Sequence, residues 1–167
     1  MSSSFVAILM GSDSDLPTMQ ATIKVLKQFD ITHEVRVRSA HRTPDAAKQY
    51  VKDAEQRGCK VFICAAGLAA HLAGAVAGMT TRPVIGVPID NGPLQGHDAL
   101  LSTVMMPGGI PVATVAIGSA GAKNAGYLAA QILGIENQDL ADKVKQERLD
   151  NAEKLLAKDA AMQAKLA

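Results

Sequence analysis

The 167-residue chain contains no tryptophan, and its only aromatic side chains are two tyrosines and three phenylalanines. This scarcity argues against a stacking platform for a flavin or for single-stranded nucleic acid. Neither sign of charge is in excess, because 17 basic and 16 acidic residues leave a net charge of +1. Such a chain has no overall field that attracts DNA, RNA or an anionic membrane, so we expect any anion to be bound locally.

Cysteine and long hydrophobic runs are also scarce. Cys59 and Cys64 are the only two cysteines, and one pair makes no disulfide framework, so we expect buried, reduced thiols. The apolar run from Phe5 to Met10 is too short for a signal peptide or a membrane span, and no basic segment precedes it. These features predict a cytoplasmic protein that does not bind membranes.

Several catalytic motifs are missing as well. The sequence has no HExxH, no CxxC and no His and carboxylate cluster at metal-ligand spacing, so we expect no metal site. It lacks a P-loop and GxGxxG, which argues against those modes of nucleotide binding. It also lacks the GxSxG of serine hydrolases.

What the chain does contain is an alternation of apolar runs and helical stretches. Such buried runs joined by helices predict an α/β fold, a three-layer α/β/α sandwich with a central parallel sheet of the flavodoxin-like type. The run at 32–38 alternates as VRVR, which predicts a half-exposed edge strand. The predicted strands are 4–10, 32–38, 60–66, 82–88 and 111–117, and the predicted helices are 15–29, 44–57, 68–79, 97–106 and 120–133.

Charge is unevenly distributed along the chain. Between Ala65 and Ala122 only Arg82, Asp90 and Asp98 are charged, which predicts that part of this stretch faces another subunit. The segment 136–167 is highly charged, with apolar residues at helical spacing, and predicts a C-terminal helix. That helix packs either on its own chain or on a neighbour. We expect a single domain, 1–167, with a catalytic core over 1–134 and a tail over 136–167 that packs on a neighbouring subunit.

The loop GSDSD follows the first predicted strand. Because ligands of parallel α/β sheets bind at the carboxyl ends of the strands, the Ser12 and Ser14 hydroxyls and the Asp15 carboxylate are candidate ligand contacts. Asp15 is suited either to a sugar diol or to capping the next helix. From spacing alone, a plain helix cap fits the loop equally well.

The loop SAHRTP follows the second predicted strand. Thr43 and Pro44 are typical of an N-cap and a first helical residue, which leaves Ser39, His41 and Arg42 for a ligand. Arg42 suits bidentate recognition of a phosphate, and its alternative is an ion pair with Asp45. His41 is a candidate acid/base, since an unperturbed imidazole exchanges protons near neutrality.

The third loop, AAGLAAHLAG, is apolar around a single histidine. On these residues alone His71 is better explained as a core histidine bonded to backbone than as a functional group. Ala66, Gly67 and Leu72 belong to a ring of apolar residues that predicts a dry pocket for a small neutral molecule. A long connection rich in glycine and proline follows the fourth strand, with Pro107 and Pro111 bracketing a turn.

Taken in order and spacing, MGSDSD, SAHRTP, AAHLAG, GVP and MPGGIPVATVAIG resemble the bacterial class I N5-carboxyaminoimidazole ribonucleotide mutases of purine biosynthesis. The resemblance covers about residues 5–134. Members commonly carry GGAAHLPG where this chain has Leu68 and Ala73, and QMPxGIPV where it has Met105. These departures leave both histidines in place.

The resemblance implies an isomerase that moves a carboxylate from the exocyclic nitrogen to C4 of the imidazole, without cofactor, metal or ATP. It implies that Ser12, Ser14 and Arg42 surround the phosphate, that Asp15 faces the ribose, and that His41 is the catalytic acid/base. His71 falls in the implied active site, with Ser39, Ala66, Gly67 and Leu72 as further substrate contacts. A homo-octamer is implied, with active sites at subunit junctions. Two alternatives remain, a carboxylase that uses free CO₂ and a non-catalytic nucleotide-binding module.

Overall fold

The computed structural model describes residues 4–166, so the termini of the predicted domain, residues 1–3 and 167, lie outside the described residues. Within this range the chain forms a five-stranded, fully parallel sheet in the order β2-β1-β3-β4-β5. This is the flavodoxin-like order, whose switch point lies between β1 and β3. The strands are β1 (Phe5–Met10), β2 (His33–Val37), β3 (Cys59–Ala66), β4 (Val84–Pro88) and β5 (Ala113–Thr114).

Helices cover both faces of the sheet, so the predicted three-layer α/β/α architecture is confirmed. A short 3₁₀ turn, Asp13–Asp15, precedes the first helix. Pro44 is the first residue of α2, as predicted, where its missing N–H has no cost. The helices are α1 (Leu16–Gln28), α2 (Pro44–Gln56), α3 (Leu72–Ala77), α4 (His97–Val104), α5 (Gly118–Gly134) and α6 (Gln138–Leu166).

The central strand β1 is buried along its whole length because alternate side chains enter two different cores. Val6, Ile8 and Met10 pack towards α1, α5 and the start of α6. Phe5, Ala7 and Leu9 pack towards α2 and α3. This double burial explains the continuous apolar runs of the sequence. The edge strand β2 is only half-buried, as its alternating pattern predicts.

Two predicted elements differ most from the expected bounds. The strand predicted at 111–117 is reduced to Ala113–Thr114, at an open edge where it has a neighbour on one side only. The helix predicted at 68–79 begins only at Leu72, because residues 67–71 form a loop in which Leu68 has a φ of +55°. Pro107 does begin a turn, whose closing bond runs from the Ile110 N–H to the Pro107 carbonyl (3.2 Å).

The C-terminal helix α6 packs on its own chain along its first half, where Glu147 also accepts a hydrogen bond from the Tyr127 hydroxyl (2.5 Å). Leu140 and Val144 are buried in the core against α5, whereas Leu155 and Leu156 are each 69% exposed. Within residues 4–166 no helix is both long and apolar enough to cross a bilayer. Cys59 and Cys64 are buried free thiols, as predicted, and burial raises the pKa of Cys59 to about 11.

Candidate active site

The polar loops meet at the carboxyl ends of β1, β2 and β3, around a cavity of about 510 Å³. Its volume is typical of a site for a small ligand. A larger groove of about 740 Å³ lies at the opposite, amino ends of the strands, but no histidine is among its lining residues. All ten candidate residues line the cavity at the carboxyl ends, namely Ser12, Ser14, Asp15, Ser39, His41, Arg42, Ala66, Gly67, His71 and Leu72.

The first loop is organised around Ser12 and Asp15. The Ser12 N–H donates to Asp15 Oδ2 (3.1 Å), and the Ser12 Oγ accepts from the Ser14 N–H (3.3 Å), which together form a capping box around the 3₁₀ turn. Asp15 therefore does take part in a cap, but the cap belongs to the 3₁₀ turn. Its side chain makes no capping hydrogen bond to α1. Asp15 is only 2% exposed, and burial raises its pKa, against the opposing effect of backbone hydrogen bonds from Ser12 and Gly11.

The second loop is closed by hydrogen bonds between its two ends. The Ser39 N–H donates to Thr43 Oγ1 (3.0 Å), and the Thr43 hydroxyl donates to the Ser39 carbonyl (3.2 Å). Thr43 occupies the N-cap position as predicted, but the capping hydrogen bond expected from its side chain is absent. The loop turns so tightly that the Thr43 hydroxyl forms its hydrogen bonds with the Ser39 backbone instead. The Arg42 N–H donates to Ser39 Oγ (3.1 Å), which adds a further bond within the loop.

Arg42 links the first two loops. Its Nη2 donates to the Gly11 carbonyl at 2.8 Å. The alternative ion pair with Asp45 does not occur among the described residues. A guanidinium has five N–H donors, so this bond leaves most of them available to an anion at the cavity.

The two candidate histidines contact each other directly. His41 Nε2 lies 2.7 Å from His71 Nδ1, and the ring planes cross at 83°. Both side chains are exposed on the isolated chain, so the core explanation of His71 is wrong. One ring must donate an N–H while the other accepts with a lone pair. The pair is therefore able to give a proton to a ligand and to receive one.

The third loop supplies the apolar wall. Gly67 leaves room there for the Asn91 side chain, since a Cβ at this position would lie 1.8 Å from Asn91 Oδ1 and the amide would have to move. Leu72 is 2% exposed and belongs to the core below the cavity. The Ala70 N–H donates to Ser102 Oγ (2.9 Å), which ties the loop to α4.

Sequence reasoning missed Asn91, which lines the cavity from the loop after β4. The signal was available, because Asn91 is the third residue after the strand and ligand contacts follow the carboxyl ends of parallel strands. Within residues 4–166 no group of three or more metal-ligating side chains is assembled.

Comparison with known proteins identifies the family. Residues 5–154 match the family model of AIR carboxylase. A protein of Saccharolobus solfataricus named N5-carboxyaminoimidazole ribonucleotide mutase is 58% identical over 140 residues, which are 84% of this chain and 87% of that protein. A Bacillus subtilis protein of the same name is 51% identical over 151 residues, 90% of this chain and 93% of that protein.

Solved structures agree with this assignment. The crystal structure of Treponema denticola PurE superposes with a TM-score of 0.85 at 33% identity, covering 95% of this chain and 98% of that one. The resemblance seen in the sequence motifs thus extends to the fold and to nearly the whole chain. The chain belongs to the AIR carboxylase family.

Proposed function

We propose that the protein is an N5-carboxyaminoimidazole ribonucleotide mutase, an isomerase of purine biosynthesis. The supporting observation is the direct contact of His41 with His71 beside an apolar wall and a loop arginine. The relatives that bear this enzyme name, at 51–58% identity over most of the chain, support the same activity.

The substrate would be oriented by the polar side of the cavity. Arg42, Ser12, Ser14 and Ser39 would surround the phosphate with charge-assisted and hydroxyl hydrogen bonds. The Asp15 carboxylate would accept hydrogen bonds from the ribose hydroxyls. This arrangement would leave the imidazole ring between the histidine pair and the apolar residues of the third loop.

The first chemical step is protonation of the exocyclic carbamate nitrogen. His41, in its imidazolium form, donates the proton, and the C–N bond breaks to give neutral CO₂ and aminoimidazole ribonucleotide. No bond joins the two products after this cleavage, so the cavity must keep CO₂ close to the ring. Ala66 and Gly67, with Leu72 buried beneath them, provide an uncharged surface suited to CO₂.

The second step forms the new carbon–carbon bond. The electron-rich C4 of the ring attacks CO₂, and C4 becomes tetrahedral. His41, now neutral, removes the C4 proton and returns to its starting state. Each proton given is recovered, so the sequence of steps balances without a cofactor. His71 accepts or donates the bridging hydrogen bond as His41 changes protonation state.

One assay separates the mutase from its two alternatives. Purified protein is given the carbamate substrate without ATP in ¹³C-bicarbonate buffer, and the imidazole product is followed by ultraviolet absorbance and mass spectrometry. We expect product that is largely unlabelled. Product labelled as fast as the substrate turns over would indicate the carboxylase that uses free CO₂. Binding without product would indicate a nucleotide-binding module.

We propose in addition that the protein is cytoplasmic and assembles as a homo-octamer, with the tail of α6 on a neighbouring subunit. Exposed apolar side chains support the assembly, with Leu101 at 60% and Met105 at 78% exposure in the uncharged stretch. Light scattering on the full chain and on a 1–148 truncation tests it. A full chain that is monomeric would contradict the proposal.

A further inference from the structure

Leu68 has a backbone conformation that leucine rarely adopts. Its φ of +55° lies in the left-handed region, and its side chain is 53% exposed. Backbone preference therefore disfavours leucine here, and only about half of the residue is buried in compensation. Residues held in such conformations cluster at ligand sites, where the surrounding structure imposes them.

The side chain of Leu68, which lines the cavity, contacts a second loop. A Cβ placed on Gly92, whose φ is +83°, would lie 2.5 Å from Leu68 Cδ2, so the methyl group rests directly on the glycine backbone. One residue earlier in each loop, the Asn91 amide lies on Gly67 in the same way. We call the contact of Gly67 and Leu68 with Asn91 and Gly92 the rim contact. Three of its four residues, all except Gly92, are among those that line the cavity with His41 and His71.

We propose that Leu68 retains CO₂ in the cavity between the two steps of the reaction, an inference that rests on the proposed function. CO₂ carries no charge and forms no strong hydrogen bond, so only enclosure by the cavity walls keeps it near C4. A branched apolar side chain at the rim narrows the opening without adding a polar atom that would attract water. The rim contact with Gly92 fixes the position of that side chain beside the cavity.

The test measures loss of CO₂ rather than overall rate. Wild-type and variant enzymes turn over the carbamate substrate in ¹³C-bicarbonate buffer, and two ratios are recorded after subtraction of enzyme-free decomposition. The first is free aminoimidazole ribonucleotide released per carboxylated product, and the second is the labelled fraction of that product. For Leu68→Ala and Leu68→Gly we expect both ratios to rise about fivefold or more, with KM within about threefold of wild type.

Three variants of Leu68 distinguish the effect of its side chain from the effect of its backbone conformation. Leu68→Ala keeps the left-handed strain and Leu68→Gly relieves it, while both remove the rim side chain. If Leu68→Ala does not fold, Leu68→Gly still tests the proposal. Leu68→Met keeps a long apolar side chain and is expected to retain most of the CO₂. Gln95→Gly is the matched control, because Gln95 also has a positive φ (51°) but is not among the residues lining the cavity.

The outcomes distinguish the inference from the function on which it rests. A wild-type enzyme that makes no carboxylated product would overturn the proposed function. A wild-type enzyme that makes it, with unchanged ratios in both Leu68→Ala and Leu68→Gly, would overturn the role of Leu68 alone. A rise in Leu68→Gly without a rise in Leu68→Ala would also overturn it, since backbone freedom would then be the cause.

Discussion

His41 Nε2 and His71 Nδ1 are 2.7 Å apart, although the two residues are separated by 30 positions in the chain. At this distance one nitrogen must carry the hydrogen and the other the lone pair. Two protonated rings would direct N–H groups at each other, so the fully charged pair would break the bond. The two imidazoles are therefore expected to act as a unit.

Replacing His41 by Asn is expected to remove turnover while ligand binding remains. Asparagine retains hydrogen-bonding capacity but does not exchange a proton near neutrality, so turnover should fall by about 10³-fold, within the range of general acid/base catalysis. Product absorbance measures turnover, and calorimetry with aminoimidazole ribonucleotide measures binding. His97→Asn is the control, since exposed His97 does not line the cavity. Unchanged turnover in His41→Asn would show that His41 is not the catalytic acid/base.

Coupling between the histidines is tested by a double-mutant cycle. We expect His71→Asn to lower kcat by about 10- to 100-fold, and the double variant to be no slower than His41→Asn alone. Loss of His71 removes the partner that orients His41, and this partner has no role once His41 is absent. Strictly additive losses, measured as kcat for all four proteins, would show that the rings act independently.

Arg42→Lys is expected to raise KM about tenfold with a smaller change in kcat. Lysine keeps the charge but lacks the planar fork, and it would lose the geometry of the bond to the Gly11 carbonyl. Steady-state kinetics at constant ionic strength provide the measurement. Arg36→Lys, on the exposed part of β2, is the control. An unchanged KM would remove Arg42 from the phosphate site.

Asp15→Asn is expected to lower activity without lowering the stability of the fold. Burial raises the pKa of Asp15, so the ionised carboxylate costs stability above its folded pKa, and this cost disappears as the pH falls below the unfolded value. At pH 7 the amide variant should therefore unfold at an equal or higher denaturant concentration, because its oxygen still accepts from Ser12. Its kcat/KM should fall about 100-fold if the charge binds the ribose.

Asp13→Asn, at the exposed neighbouring position, is the control for Asp15. An Asp15→Asn enzyme with full activity would show that the carboxylate serves the capping box alone.

Glu34 is expected to control acid stability away from the site. It accepts hydrogen bonds from Arg57 and from the Tyr50 hydroxyl (2.9 Å), and the Arg57 bond lowers its pKa. A carboxyl with a lowered folded pKa stabilises the fold above its unfolded pKa, and this contribution is lost as the pH falls through the folded value. Glu34→Gln should reduce the unfolding midpoint at pH 7.

The stability difference between Glu34→Gln and wild type should narrow as the pH falls below the ordinary glutamate range. Chemical denaturation at several pH values measures it, with Glu153→Gln on the exposed part of α6 as the control. A difference that does not depend on pH would mean that the effect of Glu34 is not electrostatic.

The fold was predictable because its signals are local. Buried runs such as Phe5–Met10 and the residue pair Thr43 and Pro44 carry strand and helix-start information in a few adjacent residues. The extent of β5 was not predictable, since it depends on which neighbours pair with an edge strand. The apolar sequence at 111–117 is the same whether or not a partner is present.

The position of the site was predictable from the rule that ligands of parallel sheets bind at the carboxyl ends of the strands. That rule brings the loops containing Ser12, His41 and Gly67 to one edge of the sheet. It does not reveal that His71 turns towards His41, or that Asn91 packs on Gly67, because both depend on contacts between loops distant in sequence. The hydroxyl of Thr43 was assigned to a helix cap for the same reason, since the tight return to Ser39 has no signature in the residue types.

The hydrogen bonds between Ser39 and Thr43 have a thermodynamic consequence. They close the segment that holds His41 and Arg42 into a small ring before any ligand arrives. The chain gave up the freedom of this segment during folding, so association does not have to supply that ordering. More of the favourable contact energy with the ribonucleotide then remains to distort it towards the point where its carbamate breaks.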